Sequence, residues 1–134
     1  MFGSILSKSQ FCHSIAIFAV AAALGSTPSI AEDAPPASEA SPEVYKVLTE
    51  NDQFRVIEAT WQPGQEDKRH SHPADRVSLY QTDCELQLTN ADGSQRVAKP
   101  KAGTARAISG KPVASHSAKN VGADVCIIHI VELK

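Results

Sequence analysis

Polar and apolar residues alternate along several short stretches of the chain. Residues 54–61 (FRVIEATW) and 84–89 (CELQLT) follow a period of two, which predicts strands with one face turned to a hydrophobic core. The most apolar stretch after the amino-terminal region, residues 125–133 (VCIIHIVEL), predicts another strand. From Glu43 onward no segment shows a long period of 3.6 residues, so the pattern predicts no long helix there.

Turn signals separate these stretches at short intervals. Residues 90–93 (NADG) predict a hairpin turn in which Gly93 can adopt a positive φ. The stretch that holds His116 is interpreted as a loop closed by Asn120. Around eight short strands at this spacing predict an all-β fold, an antiparallel sandwich or a small antiparallel β-barrel. The remaining predicted strands are residues 44–49, 68–72, 77–81, 95–98 and 104–108.

The first 31 residues have the features of a secretory signal peptide. Lys8 is their only Lys or Arg, and the apolar run 15–24 and a small-residue end at Ala31 follow it. A bilayer crossing needs roughly twenty apolar residues, so this run is too short for a permanent membrane anchor. We therefore expect an exported protein, periplasmic or secreted.

The rest of the chain divides into a linker and one domain. Residues 32–42 (EDAPPASEASP) are dominated by Ala, Pro, Ser and Glu, a composition that predicts a disordered linker. Residues 43–134 are enough for one domain and too few for two. The formal net charge of −2 argues against a nucleic-acid partner, because such a partner favours a basic face.

The three cysteines leave one pair in the mature domain. Cys12 lies within the predicted signal peptide, whereas Cys84 and Cys126 lie in predicted strands. In an exported protein this pair is compatible with one disulfide. Two buried thiols that act as small hydrophobic groups are the alternative, and the sequence leaves both open.

The candidate chemistry centres on three histidines. His70 and His72 are two residues apart, so on a strand their side chains project from the same face. His116 comes much later, shortly before Asn120. Two imidazoles on one face can share a metal ion, and a third from elsewhere in the fold can complete a site.

These residues resemble the two conserved motifs of the cupin family. The likeness to the first motif lies in Gly64 followed by His70-Ser71-His72. The likeness to the second lies in Gly103 followed by His116 and Asn120. The resemblance spans about residues 54–134 and implies a small jelly-roll barrel with a metal or small-molecule site inside. The glutamate that the family usually places after the second histidine is replaced by Arg76 or Val77.

Without that glutamate, His70, His72 and His116 are the predicted metal ligands. Neutral imidazoles suit a divalent Fe, Mn, Ni or Zn ion, and three of them leave coordination positions open. Asp75 could be brought inward as a substitute ligand if Pro73 breaks the strand.

Arg76 and Tyr80 are the predicted ligand-binding residues. On an unbroken strand both would share the face of His72, where a guanidinium could hold a small anionic ligand but would oppose a metal ion. The alternative for Arg76 is a surface position paired with Asp75, Glu85 or another carboxylate, and for Tyr80 an ordinary strand residue.

Two classes of function follow. The favoured one is an exported small cupin-like domain that binds a divalent metal through three histidines, a small ligand that can be anionic, or both. The alternative is a metal-dependent enzyme of the oxygenase or isomerase type that uses the same three-histidine site. A homodimer formed through the edge strands is also possible on this sequence. The fold alone does not choose between the two classes of function.

Overall fold

The computed structural model describes Gly3 and residues 33–134, which form an almost entirely β fold with one short helix. Helix α1 spans Ala37–Ala40. Every strand pair is antiparallel. The strands of the described residues are β1 (Tyr45–Glu50), β2 (Phe54–Trp61), β3 (His70–His72), β4 (Arg76–Tyr80), β5 (Leu86–Asn90), β6 (Gln95–Ala98), β7 (Ala105–Ile108), β8 (Val113–Asn120) and β9 (Cys126–Leu133).

The strands form two sheets that share one core. The five-stranded sheet has the order β1-β2-β9-β4-β7, and the four-stranded sheet has the order β3-β8-β5-β6. The prediction of an all-β antiparallel fold is confirmed. The hydrogen-bonded ladders remain two separate sheets, so the predicted barrel is not closed.

The core occupies the space between the sheets. Ile57 on β2 lies opposite Ile130 on β9, and Trp61 lies opposite Cys126. All four side chains are buried, and Leu86 from the four-stranded sheet joins the same cluster. The alternation in the sequence therefore marks the faces that meet in the core, as a period of two requires.

A disulfide joins Cys84 to Cys126, with the two Cα atoms 5.0 Å apart. Cys84 precedes β5 of the four-stranded sheet, and Cys126 begins β9 of the five-stranded sheet. This bond settles the alternative between a disulfide and two free thiols. It also ties the two sheets together covalently.

In place of the predicted disordered linker, residues 33–42 lie against the domain. The backbone N–H of Ala34 donates to the carbonyl of Ala114 at 2.9 Å, and the N–H of Ser71 donates to the carbonyl of Pro35 at 2.9 Å. Ala37 is buried within the core cluster. Composition describes what side chains can bury, whereas these residues are held by hydrogen bonds of their backbone groups.

Strand β8 replaces the predicted loop around His116. The segment VASHSAKN has few large apolar residues, so its alternation is weak. It nevertheless pairs with β3 on one side and β5 on the other, which satisfies its backbone groups within the sheet. Asn120 ends the strand, fully buried, and donates to the carbonyl oxygens of Trp61 at 3.1 Å and Asp124 at 2.8 Å.

The predicted signal peptide lies outside the described residues, apart from Gly3, and stays a prediction. No helix in the described part of the chain is long and apolar enough to span a membrane.

Candidate metal centre

Three histidines meet on two neighbouring strands. His70 and His72 project from β3, and His116 lies directly opposite His70 on β8. One ring nitrogen of each lies within 4.8 Å of the others, so the three rings could hold one metal ion. His70 is 0 % exposed and His72 is 8 % exposed. The structure thus brings together the three residues that the motifs predicted.

Hydrogen bonds fix which nitrogen of each β3 ring carries a proton. The Nδ1 atom of His70 lies 2.8 Å from the carbonyl oxygen of Lys68, which can only accept. The Nδ1 atom of His72 lies 2.7 Å from the Oε1 atom of Glu132. Each Nδ1 therefore donates, so the Nε2 atom is the ring nitrogen left available to a metal ion. Carboxylate and carbonyl partners of this kind orient histidine ligands in metal sites.

The free nitrogens face one another in a buried space. The Nε2 atoms of His70 and His72 are 3.1 Å apart. The buried Nε2 atom of His116 has no hydrogen-bond partner among the described residues. Adjacent lone pairs repel, and a buried nitrogen without a partner is costly. A divalent cation coordinated by all three nitrogens would remove the lone-pair repulsion and give the His116 nitrogen a partner, so this donor set fits a metal ion.

Burial keeps two of the rings neutral. It lowers the pKa of His70 to about 4, and the charge of His72 lowers it further against the opposing bond to Lys68. Burial also lowers the pKa of His116 to about 3, with further lowering by the charges of His70 and His72. Metal ligation requires neutral imidazoles, and both rings are in that form at pH 7.

We expect the metal-free protein to lose stability as the pH falls below about 6.5. Above that value the rings are neutral in both the folded and the unfolded states and contribute no pH dependence. Below it the two histidines bind protons in the unfolded chain, whereas in the folded protein they stay neutral until the pH approaches their lowered pKa values of about 4 and 3. Protonation therefore favours the unfolded state. Urea unfolding in chelator between pH 7.5 and 5 measures the slope.

His116→Gln is the control for this slope, because other groups also titrate in the folded protein. Asp67 is one of them, since burial raises the pKa of its carboxyl. The variant should show a shallower fall in stability than the wild type across the same range. Equal slopes in the two proteins would contradict the assignment.

The buried carboxylate of Asp67 lies next to His70 and accepts hydrogen bonds from residues around the histidines. Asp67 accepts hydrogen bonds from the Tyr45 hydroxyl at 2.7 Å, the Trp61 indole N–H at 3.1 Å and the backbone N–H of Ala118 at 2.7 Å. Its Oδ1 atom lies 3.6 Å from the Nδ1 atom of His70. Sequence reasoning missed Asp67, because it lies in a polar run that resembles a solvent-exposed loop.

Tyr45 links this carboxylate to the metal centre. Its hydroxyl oxygen lies 3.1 Å from the Nε2 atom of His70. Burial, followed by the charge of Asp67, raises the pKa of the Tyr45 hydroxyl well above its usual value. The phenol therefore stays protonated at neutral pH, and it donates its one proton to Asp67 at 2.7 Å.

Arg76 lies inside the fold and not on the surface. It is 9 % exposed, and its guanidinium donates to the carbonyl oxygens of Pro73 at 2.8 Å and Lys111 at 3.4 Å. The alternative of a surface pair with Asp75 or Glu85 is wrong.

The two carboxylates have other partners. Asp75 accepts from the Ser109 hydroxyl and the Gly110 N–H, so it does not substitute as a ligand. Glu85 pairs with Lys99. Pro73 thus breaks the strand without bringing Asp75 inward.

Glu132 reduces the conflict between Arg76 and a metal ion. The two residues are direct cross-strand partners on β4 and β9, and Glu132 also accepts from His72. Burial lowers the pKa of Arg76, and the negative charge of Glu132 opposes that shift. Glu132 thus offsets the charge of Arg76 and also accepts a hydrogen bond from His72. The motifs did not indicate a functional residue at this position.

A cavity of about 180 Å³ opens beside the histidines, between the two sheets. His72 and His116 lie on its wall, together with Tyr80 and Arg76. Sequence reasoning missed two further arginines on this wall, Arg96 and Arg106. Each lies on a short edge strand, where an exposed arginine carries no recognisable signal.

His129 lies outside the centre. It is on β9, and its Nε2 atom lies 3.2 Å from the Oε2 atom of Glu58 on the neighbouring strand. Its side chain is 33 % exposed. It does not belong to the three-histidine cluster.

Comparison with solved structures finds several similar folds. A cupin domain from Bordetella pertussis Tohama I has a TM-score of 0.60 and 22% identity, covering 75% of this chain and 96% of its own. An RmlC-like cupin family protein with a double-stranded β-helix fold from Methanocaldococcus jannaschii has a TM-score of 0.52 and 16% identity, covering 67% and 78%.

An uncharacterised conserved protein with a double-stranded β-helix domain from Klebsiella pneumoniae has a TM-score of 0.51 and 23% identity, covering 80% and 81%. No family model and no curated protein sequence matches the chain. Likeness at this level of identity concerns the fold and not the activity.

Proposed function

We propose that this chain, which has the cupin fold, binds one divalent metal ion through His70, His72 and His116 and offers its open positions to a small ligand. The observation that carries the proposal is the meeting of three buried or half-buried imidazoles whose ligand nitrogens lie within 4.8 Å of one another, with the buried Nε2 atom of His116 unpartnered among the described residues. A three-histidine set without a fourth protein ligand leaves room for water or a ligand. Divalent Zn, Fe, Ni and Mn are the candidate ions.

The surrounding residues would prepare the rings for the ion. Glu132 and the Lys68 carbonyl hold the two β3 rings with Nε2 directed inward. This fixed orientation reduces the entropy that a metal site must otherwise lose on binding. When bound, the ion would supply a Lewis-acidic position next to the cavity.

We also propose that the domain works outside the reducing cytoplasm. The apolar run 15–24 and small-residue end support an export signal, and the Cys84–Cys126 disulfide suits an oxidising compartment. Full-length protein expressed with its own amino terminus should appear in the periplasmic or secreted fraction, shortened by about the length of the predicted signal. Cytoplasmic retention of the full-length chain would contradict this.

An enzyme of the oxygenase or isomerase type is the second candidate. The adjoining cavity favours it, because a ligand there could reach an open metal position. No acidic side chain of the described residues lies on the cavity wall, so Tyr80 or a histidine would have to move protons. This is the reason that we place binding first.

The test is metal content and affinity. Wild-type protein loaded with Zn²⁺ or Ni²⁺ should retain about one equivalent by elemental analysis. Saturating metal should raise its unfolding free energy by about 2.7 kcal/mol at a hundredfold excess over Kd. His70→Ala and His116→Ala should each lose the bound equivalent, because two imidazoles alone hold these ions weakly.

His129→Ala is the matched control, since it removes a histidine outside the cluster. It should bind metal as the wild type does. A wild type that stays metal-free, or a His70→Ala variant that binds like the His129→Ala control, would refute the proposal.

A further inference from the structure

Three arginines surround the cavity next to the three histidines. Arg76 comes from β4, Arg96 from β6 and Arg106 from β7. β6 is an edge of the four-stranded sheet and β7 is an edge of the five-stranded sheet. Arg96 and Arg106 are exposed side chains, and each of their strands ends in a half-buried residue, so the two arginines flank the mouth while the buried Arg76 lies deeper.

The register of the sheets explains why these side chains face inward. Arg106 lies opposite Ser78 on β4, and Arg96 lies opposite Leu88 on β5. Ser78 and Leu88 both line the cavity, and directly opposed residues share a face. Arg96 and Arg106 thus project into the same space from opposite sheets.

The positive charge at the mouth is not neutralised within the fold. Arg76 has Glu132 as its cross-strand partner. Neither Arg96 nor Arg106 forms an ion pair within residues 33–134. The cavity wall, as the structure describes it, carries no acidic side chain. Arg96 and Arg106 therefore line the cavity without an ion-pair partner among the described residues.

The cationic side chains also affect each other. The charge of Arg106 adds to burial in lowering the pKa of Arg76. The charges of Arg76 and Arg96 contribute to the lowered pKa of His116 after burial and the two other rings. Arg106 therefore acts on Arg76, and Arg76 and Arg96 both act on His116.

We infer that Arg96 and Arg106 form an anion clamp for a small ligand with two negative charges, held between the cavity mouth and the three-histidine centre. A guanidinium presents a planar fork of donors that matches a carboxylate or a phosphate. Two unpaired guanidinium groups match a dianion better than a monoanion, because each missing charge leaves one cation uncompensated. Tyr80 lies on the same wall and adds a hydroxyl.

The cavity volume limits the size of the ligand. A volume of 180 Å³ is well below the 300–1,000 Å³ of pockets that hold drug-sized molecules. Short dicarboxylates and small phosphate esters fit this space and share the required chemistry. The inference rests on the proposed function for the inner end of the ligand, where a donor atom of the ligand would coordinate the metal ion.

The experiment is calorimetric titration of the wild-type protein at low chloride with three probes, in the presence of Zn²⁺ and again in chelator. The probes are succinate, methyl phosphate and acetate. Succinate or methyl phosphate should bind saturably and at least tenfold more tightly than acetate, and the stronger of the two identifies the anionic group. Equal binding of acetate, or no binding of either dianion, would overturn the clamp.

The variants separate the clamp from general charge. Arg96→Gln and Arg106→Gln should each weaken dianion binding by about ten- to hundredfold, the loss of one charge-assisted contact. Lys119→Gln is the matched control, because this exposed residue of β8 carries one positive charge and lies outside the cavity wall. A loss in the control equal to that in the arginine variants would overturn the inference.

The two proposals fail differently. Metal binding without dianion binding would overturn the clamp and leave the metal proposal standing. Dianion binding that persists in chelator and depends on Arg96 and Arg106, in a protein that binds no metal, would support the clamp and refute the metal proposal. Circular dichroism of each variant confirms that the fold is retained.

Discussion

Asp67→Ala is expected to lower the free energy of unfolding by about 3–9 kcal/mol. The carboxylate accepts from the Tyr45 hydroxyl, the Trp61 indole and the Ala118 N–H, and all of these donors are buried. A buried donor that loses its partner costs about 1–3 kcal/mol. Three such losses amount to a large share of the 5–15 kcal/mol that stabilises an ordinary domain.

Urea unfolding monitored by Trp61 fluorescence measures this effect. Asp67→Asn should be less damaging than Asp67→Ala, because the amide keeps one carbonyl oxygen as an acceptor. It should still be less stable than the wild type, because its NH₂ group faces donors. Asp52→Ala is the matched control, since it removes an exposed carboxylate with no side-chain partner in the described structure, and it should stay within about 0.5 kcal/mol. An Asp67→Ala protein as stable as Asp52→Ala would show that Asp67 is not a structural support.

The same variant tests whether Asp67 also serves the metal centre. It fixes Tyr45, whose hydroxyl lies 3.1 Å from the Nε2 atom of His70. If Asp67→Asn folds, we expect its Zn²⁺ affinity to fall about tenfold or more, as is usual when a residue that orients a ligand is lost. A stable Asp67→Asn protein with unchanged affinity would limit the role of Asp67 to folding.

The parts of the fold that the sequence predicted are those with a strong local pattern. Strands β2 and β9 alternate clearly, and their inward residues meet in register across the ladder. Gly93 was predicted in a hairpin turn and adopts φ 82° there. Each of these features depends on residues close together in the chain, so a local pattern is sufficient to reveal it.

The parts that were missed depend on contacts between distant residues. Strand β8 is held by β3 and β5 on either side, although its own sequence alternates weakly. Residues 33–42 are ordered by backbone bonds to Ala114 and Ser71, far along the chain. Composition describes what side chains can bury, and it does not register a backbone that fits between existing strands.

The candidate site divides in the same way. His70 and His72 were predicted as a pair from their spacing, and His116 from its resemblance to a second motif. Glu132 reaches His72 from β9, and Arg96 and Arg106 line the adjoining cavity from β6 and β7, all without any motif. Their relevance depends on the sheet register, which sets the face that each side chain shares.

Loss of the disulfide is the second large effect that we expect. Replacing Cys84 and Cys126 together by serine should lower the free energy of unfolding by about 2–4 kcal/mol. The bond closes a segment with a sequence separation of 42, and the loop-entropy model gives about 4 kcal/mol for a loop of this size. The double variant is preferred because a single substitution would leave one reactive thiol.

Reduction of the wild type provides the internal control for this prediction. A phosphine reductant should bring the urea midpoint of the wild type down to that of the double variant and leave the variant itself unchanged. Neither cysteine lies on the cavity wall, so the folded variant should keep metal and anion affinities near those of the wild type. A double variant as stable as the oxidised wild type would show that the two sheets hold together without the covalent tie, through the shared core of Ile57, Trp61 and their partners alone.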